Sequence, residues 1–214
     1  LLRVLREQLE TPVDIEFACD GEDIYLLQCR PQGATHGDAP VSIPRDLPRE
    51  RVLFTANRYV SNGRVGDITH VVYVDPEAYG KLELSRLRDV GRAVGRLNRT
   101  LPKRRFLLMG PGRWGGRGDV RLGVPVTYAD ISNAAVLIEI ARLSGGYVPD
   151  LSFGTHFFQD LVESSIRYLP LYPDDPTVIF AEPFFSRSPN ALADLLPEFA
   201  DLADVVHVID VRSV

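Results

Sequence analysis

The sequence predicts an α/β fold in which helices cover a mixed β-sheet and a β-hairpin precedes the sheet domain. Apolar runs of strand length recur along the chain, and at least one segment with the apolar spacing of a helix separates two of them. Near the N-terminus, an acidic glycine turn joins two runs in which polar and apolar side chains alternate. Strands that alternate with helices favour a sheet with helices packed on it.

The first element is predicted to be a helix, because apolar residues stand at positions 1, 2, 5 and 9. Two strands follow it, on either side of residues 20–22. Side chains alternate along a strand, so Asp14 and Glu16 share one face of the first strand, and Gln28 and Arg30 share one face of the second.

The length of the turn decides how these polar residues meet. A three-residue loop would pair Cys19 with Asp23, place Asp14 opposite Gln28, and leave Glu16 diagonal to Gln28 on the same face. A two-residue loop would put Glu16 and Gln28 on opposite faces.

A segment rich in glycine and proline follows the hairpin and predicts a boundary between domains near residues 32–50. We therefore expect a first domain at 1–32, a linker at 33–50 and an α/β module at 51–214.

Within the module, the patterns predict a series of strands and helices. Strands are expected at 52–56, 70–74, 106–109, 123–128, 135–140, 177–181 and 205–211, with a turn at 61–64. Apolar spacing from 84 to 97 predicts a helix that ends near Pro102, and a second helical pattern at 191–202 is interrupted by Pro197.

The loop at 110–119 follows a predicted strand and contains five glycines, two arginines and the only tryptophan. Glycine lets backbone amides approach a ligand, Arg113 and Arg117 can bind anions, and Trp114 offers a flat face for stacking. The loop has neither the Walker A pattern nor the dinucleotide-binding spacing. Two interpretations remain open, a loop that contacts nucleotide or anion and a turn whose arginines pair with local carboxylates.

Composition is that of a globular protein, with 214 residues, 45% hydrophobic and 25% charged. Twenty-four basic against 29 acidic residues give a net charge of −5, which disfavours a general nucleic-acid surface. No run is long enough to span a bilayer and no signal peptide is visible, so we expect no membrane partner and a cytoplasmic location. Cys19 and Cys29 are expected to be reduced thiols.

The hairpin carries a family resemblance. Residues 12–17, Pro-Val-Asp-Ile-Glu-Phe, and 25–31, Tyr-Leu-Leu-Gln-Cys-Arg-Pro, resemble the end of the ATP-grasp nucleotide-binding domain of phosphoenolpyruvate synthase and pyruvate phosphate dikinase. The resemblance implies that Glu16 and Gln28 bind Mg²⁺ and ATP and that Arg30 faces the transferring phosphate. Mg²⁺ prefers oxygen ligands shared with nucleotide phosphates, and a guanidinium suits phosphate oxygens.

The same resemblance places the glycine-rich loop, the phosphate-binding Lys and Arg and the adenine pocket upstream of Leu1. The chain does not begin with Met. We therefore expect it to be the C-terminal part of a longer protein, with an upstream ATP-grasp lobe of the same polypeptide as its partner. Residues 110–173 also resemble the C-terminal module of phosphoenolpyruvate-synthase-like proteins, a module for which the resemblance implies no reaction.

The dikinase family carries phosphate on a histidine, so the resemblance makes each histidine of this chain a candidate for that role. The family's Gly-Gly-x-x-Ser/Cys-His-Ala-Ala run does not occur here, and neither does its Cys-bearing phosphoenolpyruvate barrel. His156, before an apolar helix start, is the best remaining candidate for a phosphate acceptor or acid–base group, with a packed structural role as the alternative. His70 is a weaker candidate, and His36 and His207 suit linker and core positions.

Two functions follow from these observations. In the first, an ATP-dependent phosphotransferase uses Glu16, Gln28 and Arg30, and the later loop contacts a small phosphorylated metabolite. In the second, the module is a non-catalytic domain that binds a nucleotide or phosphorylated metabolite beside a degenerate ATP-grasp domain. We expect this chain to be inactive by itself.

Overall fold

A computed structural model of the chain describes residues 1–10, 13–31, 41–44, 46–60, 62–116, 120–143 and 150–212. These residues form two compact units, one that extends to residue 31 and one that begins at residue 41. The division between the two units falls within the predicted linker, 33–50. Residues 33–40 lie outside the described residues, and the described residues of 41–50 belong to the second unit.

The first unit is a helix followed by an antiparallel hairpin. It consists of α1 (Leu2–Leu9), β1 (Val13–Cys19) and β2 (Ile24–Pro31). Val13 is its one buried residue among those described, whereas Leu2, Leu9 and Leu27 are each more than half exposed. The unit therefore has almost no core of its own.

The second unit is built on a five-stranded mixed sheet, which confirms the predicted α/β class. The strands are β3 (His70–Val74), β4 (Phe106–Pro111), β5 (Val136–Ile140), β6 (Arg167–Leu171) and β7 (Val206–Asp210). Their order is β6-β5-β4-β3-β7. Strands β3 to β6 are parallel, and β7 is antiparallel to β3.

Helices and short 3-10 turns connect these strands. The helices are α2 (Pro76–Gly80), α3 (Leu84–Thr100), α4 (His156–Glu163), α5 (Glu182–Arg187) and α6 (Leu192–Leu195). The 3-10 turns are Arg49–Arg51, Tyr128–Asp130 and Pro197–Leu202.

The sheet has an apolar layer on each face, because alternate residues of its strands point to opposite sides. Val72 and Val74 belong to the layer that holds α3 and α4. Val71 and Tyr73 belong to the other layer, which holds Phe185 of α5. A sheet that is covered on both faces explains why all five residues of β3 and of β5 are buried.

Several predicted elements are confirmed. They are the hairpin, the strands near 70–74, 106–109, 135–140 and 205–211, the helix from 84, and the helical segment interrupted at Pro197.

Three predicted strands were wrong. The main-chain pairing of segments 52–56 and 177–181 is an isolated bridge between Phe54 and Phe180, too short to count as strands. Segment 123–128 makes one bridge, from Gly123 to Gly112, and then enters a 3-10 turn. The predicted turn at 61–64 begins at Ser61, which lies outside the described residues.

None of the helices in the described part of the chain combines the length and apolar character that crossing a bilayer requires.

Candidate functional site

The register of the hairpin differs from the predicted one. Cys19 pairs with Ile24, so four residues, 20–23, form the connection. The predicted pairings of Cys19 with Asp23 and of Asp14 with Gln28 were therefore wrong. Asp14 pairs with Arg30 instead, and Glu16 pairs directly with Gln28.

A β-bulge produces the pairing of Glu16 with Gln28. Phe17 lies opposite Leu26, but the next residue, Glu16, lies opposite Gln28, so Leu27 is an extra residue in the return strand. In a regular ladder Glu16 would face Leu27, and Gln28 would point to the other side. The bulge thus brings Glu16 and Gln28 opposite each other, not through the three-residue loop on which the expected shared face depended.

The two side chains are accessible to different degrees. Glu16 is exposed and Gln28 is partly buried. Residues directly opposite in an antiparallel pair have Cβ atoms about 4.5–5.5 Å apart, close enough for both side chains to reach one ion. The side chain of Arg30, the third predicted member of this site, lies outside the described residues.

Asp20 holds the hairpin turn. Its Oδ1 accepts hydrogen bonds from the backbone N–H groups of Glu22 (3.0 Å) and Asp23 (2.9 Å), and its Oδ2 accepts one from the Tyr25 hydroxyl (2.7 Å). These bonds, that from Asp23 above all, lower the pKa of Asp20 to about 2. Asp20 therefore has a structural role in the turn.

In the second unit, the glycine-rich loop follows β4 at the carboxyl edge of the parallel strands. Gly112 has a φ of +59°, and a Cβ atom there would lie 1.8 Å from the carbonyl oxygen of Leu122. A Cβ atom on Gly115 would lie 2.4 Å from the ring of Phe157, in the first turn of α4. Close packing against other segments of the same chain explains these two glycines without a ligand.

The three predicted ligand contacts of this loop differ in their surroundings. Arg113 is partly buried, and among the described residues no carboxylate pairs with it. Arg117 lies outside the described residues. Trp114 is 0% exposed, so a ligand can stack on its ring only after the loop moves. Its indole N–H has no hydrogen-bond partner among the described atoms.

A buried carboxyl group that was missed in the sequence lies directly beneath the loop. Glu139 occupies the fourth position of β5, is 0% exposed, and is flanked in the sheet by Gly110 of β4 and Pro170 of β6. The apolar run around it, Val-Leu-Ile-Glu-Ile, is the signal that could have revealed it, because a lone Glu inside a buried strand requires partners.

Four hydrogen-bond contacts surround this carboxyl group. Oε1 lies 2.7 Å from the backbone nitrogen of Trp114 and 2.6 Å from the Ser152 hydroxyl. Oε2 lies 2.6 Å from the backbone nitrogen of Ser152 and 2.8 Å from the Tyr168 hydroxyl. We call Glu139, Ser152, Tyr168 and the main chain of Trp114 the Glu139 network. It joins the loop after β4, the segment before α4 and strand β6.

Burial dominates the electrostatics of the network. It raises the pKa of Glu139 to about 7, against the opposing effect of the hydrogen bonds from Ser152, Trp114 and Tyr168. Burial and the neighbouring Glu139 carboxyl also raise the pKa of Tyr168. The Tyr168 hydroxyl therefore stays protonated at neutral pH and donates a hydrogen bond to Glu139.

His156 is exposed at the first position of α4. Thr155 caps this helix by accepting a hydrogen bond from the backbone N–H of Phe158 (3.3 Å), and Nδ1 of His156 lies 3.3 Å from Oε1 of Gln159. Because Gly115 packs against Phe157, the glycine-rich loop and the first turn of α4 are adjacent. The structure therefore brings His156 and the loop to one region.

The other histidines have different positions. His70 is buried, with Nδ1 2.9 Å from the Thr69 hydroxyl, and burial lowers its pKa. His207 is also buried, its ring 5.9 Å from that of Tyr73, and burial lowers its pKa too. Both belong to the packed sheet. His36 lies outside the described residues.

In the described part of the chain, no three or more His, Cys, Asp or Glu side chains form a group that could hold a metal ion. Glu16 and Gln28 offer one carboxylate and one amide oxygen. That number suits Mg²⁺ in nucleotide sites, where waters and phosphate oxygens supply most ligands.

Comparison of the chain with protein-family models, with curated proteins and with solved structures finds no match in any of the three.

Proposed function

We propose that this chain contributes to an ATP-dependent phosphotransferase similar to phosphoenolpyruvate synthase and pyruvate phosphate dikinase. Its hairpin would supply contacts to Mg²⁺ and ATP, and an upstream ATP-grasp lobe of the same polypeptide would complete the nucleotide site. The observation that carries the proposal is the direct pairing of Glu16 with Gln28, which requires the extra residue Leu27.

The pairing suits the chemistry of phosphoryl transfer. The protein's work in this reaction is mainly to position the reactants and to neutralise charge on the phosphates. A carboxylate and an amide oxygen on one face can share a Mg²⁺ ion with the nucleotide. Arg30, two positions beyond Gln28, would bind the transferring phosphate through its guanidinium group.

The sheet domain would bind the second substrate, a small phosphorylated metabolite. In α/β sheets, ligands bind outside the carboxyl ends of the parallel strands, and Arg113 lies there without a carboxylate partner among the described residues. Arg117 and Trp114 would add contacts if the loop opens, and His156, adjacent to the loop, would accept phosphate or transfer a proton.

The position of Arg113 outside the carboxyl ends of the parallel strands also favours a second candidate function. The sheet domain would then be a non-catalytic module that binds a nucleotide or phosphorylated metabolite, and the hairpin would be a degenerate remnant.

The test is calorimetric titration of the full-length protein with Mg-ATP. Glu16→Gln removes the charge and keeps the shape of the side chain, and we expect it to weaken binding at least tenfold, which corresponds to about 1.4 kcal/mol. Glu22→Gln is the matched control, since Glu22 is exposed in the same hairpin. Its affinity should equal that of the unchanged protein.

Turnover separates the two candidates. Arg30→Ala should reduce ATP turnover in a phosphotransferase. Unchanged affinity and turnover in both the Glu16 and Arg30 variants would remove the hairpin site. Binding of nucleotide or phosphate that is lost in Arg113→Ala, without turnover in any variant, would favour the binding module.

A further inference from the structure

One hydroxyl group in the Glu139 network has two acceptors. Oγ of Ser152 lies 2.6 Å from Oε1 of Glu139 and 2.8 Å from the carbonyl oxygen of Trp114. A serine hydroxyl has one proton and can donate it to only one of them. Both contacts are hydrogen bonds only if Glu139 is protonated on Oε1 and donates to Ser152, which then donates to Trp114.

The ionised form leaves the network incomplete. An ionised carboxylate would accept the single hydrogen bond that the Ser152 hydroxyl can donate. Among the described residues, the Trp114 carbonyl has no other donor. Glu139, Ser152 and Trp114 are all 0% exposed, so water does not replace the missing bond. A buried carbonyl without a partner and a buried charge without a counter-ion are both unfavourable.

In the part of the chain that the structure describes, no cation pairs with that carboxylate. The titratable groups that face Glu139 from β6 and its carboxyl end are Tyr168 and Tyr172, both neutral phenols at ordinary pH. Arg113 is next to Trp114 on the loop, and His156 begins α4. Among the described residues, neither of these forms an ion pair with Glu139.

We infer that Glu139 carries a proton on Oε1 in the folded protein, and that loss of this proton releases the Trp114 carbonyl from Ser152 and loosens the loop at 112–116. The Glu139 network is then a proton-controlled latch on the segment that presents Arg113. The latch does not depend on the proposed phosphotransferase function, since it follows from the positions of four groups in the sheet domain.

The switch falls in the physiological range. Burial raises the pKa of Glu139 to about 7, so modest acidification closes the latch and modest alkalinisation opens it. The nearby phenols titrate far above that range.

The chain contains its own reporter, because Trp114 is its only tryptophan and is part of the latch. We expect the fluorescence emission of the full chain to change with a midpoint near pH 7 as the pH rises from about 5 to about 9. Glu139→Gln cannot ionise and should give a flat emission over the same range. Exposed Glu163, on α4, provides the matched control, and Glu163→Gln should titrate as the unchanged protein does.

His156→Gln tests whether the histidine at the start of α4, rather than Glu139, causes the emission change. The emission change should persist in that variant. If it disappears there, or remains in Glu139→Gln, the latch is refuted.

Glu139→Gln has one structural cost, because its NH₂ group must face the backbone N–H of either Trp114 or Ser152. A second measurement therefore uses the unchanged protein. In carbon-13 NMR of side-chain carboxyl groups labelled in glutamate, one signal should titrate near neutral pH, well above the usual range of a glutamate carboxyl group. If every glutamate carboxyl titrates at ordinary values, Glu139 is ionised and the inference fails.

Discussion

At the scale of single residues, Glu139 connects three segments that are distant in the sequence. Each bond to it replaces one that water would supply in the unfolded chain, so its net value is modest, but a partner left unpaired in the core is costly. Tyr168→Phe removes the hydroxyl that lies 2.8 Å from Oε2 and keeps the ring. We expect the free energy of unfolding, measured by urea denaturation near pH 7, to fall by about 1–3 kcal/mol.

Tyr172→Phe is the control for this change. Tyr172 follows β6, and its ring lies under the guanidinium of Arg58, 4.8 Å from the centroid, a contact that the phenylalanine ring retains. Its hydroxyl has no hydrogen-bond partner among the described residues, so its removal should be nearly neutral. If Tyr168→Phe and Tyr172→Phe lower the free energy of unfolding equally, the hydrogen bond from the Tyr168 hydroxyl to Glu139 contributes no specific stability.

The residues of both candidate sites show how far a sequence can specify them. Alternation left the relation of Glu16 to Gln28 dependent on the length of the turn, and it could not reveal the bulge at Leu27 that makes them direct neighbours. Glu139 was missed because its partners, at 114, 152 and 168, meet it only in the folded sheet. The glycines at 112 and 115 suggested ligand binding, yet non-local packing already explains them.

At the scale of elements, α3 offers a comparison within one helix. Alanine is ordinarily more stable than glycine inside a helix by about 1 kcal/mol. A Cβ atom on Gly91 would lie 2.4 Å from the backbone oxygen of Pro125, which cannot move without shifting the chain. A Cβ atom on Gly95 would lie 3.0 Å from Oδ1 of Asp130, which belongs to a side chain.

We therefore expect the two alanine variants to differ. Gly91→Ala should lower the free energy of unfolding by about 1–3 kcal/mol, because overpacking against backbone exceeds the gain in helix propensity. Gly95→Ala should lie within about 1 kcal/mol of the unchanged protein, since the gain and a small shift of Asp130 oppose each other. Chemical denaturation monitored by circular dichroism measures both. A Gly91→Ala protein at least as stable as Gly95→Ala would contradict the packing described for this helix.

Helices and strands were predicted correctly where the local sequence pattern is strong. The helix from 84 was predicted because five apolar positions recur at helical spacing, and the structure extends it to Thr100. Strand β6 was missed because Pro170 interrupts its strand pattern. Proline has no N–H group to donate, and it is tolerated here because β6 lies at the edge of the sheet. Segments 52–56 and 177–181 have strand composition, but composition does not determine whether a ladder extends beyond the bridge between Phe54 and Phe180.

At the scale of the whole molecule, the two units differ in how much apolar surface each can bury. The sheet domain has an apolar layer on both faces of its strands. In the first unit, Val13 is the one buried residue among those described, and a two-stranded hairpin is marginal in water unless it packs on something else. The fold class followed from the sequence because alternating strands and helices of sufficient number dictate layers.

This difference predicts independent folding of one unit. A protein of residues 41–214 should unfold cooperatively, with a midpoint within about 4 °C of the main transition of the full chain, the shift that about 1 kcal/mol produces in a domain of this size. A peptide of residues 1–31 should show little secondary structure, since segments below about 40 residues seldom bury enough surface to fold alone. Circular dichroism during heating measures both. A broad, non-cooperative transition for 41–214 would show that the sheet domain requires the first unit, because its two apolar layers would then be insufficient to hold the fold.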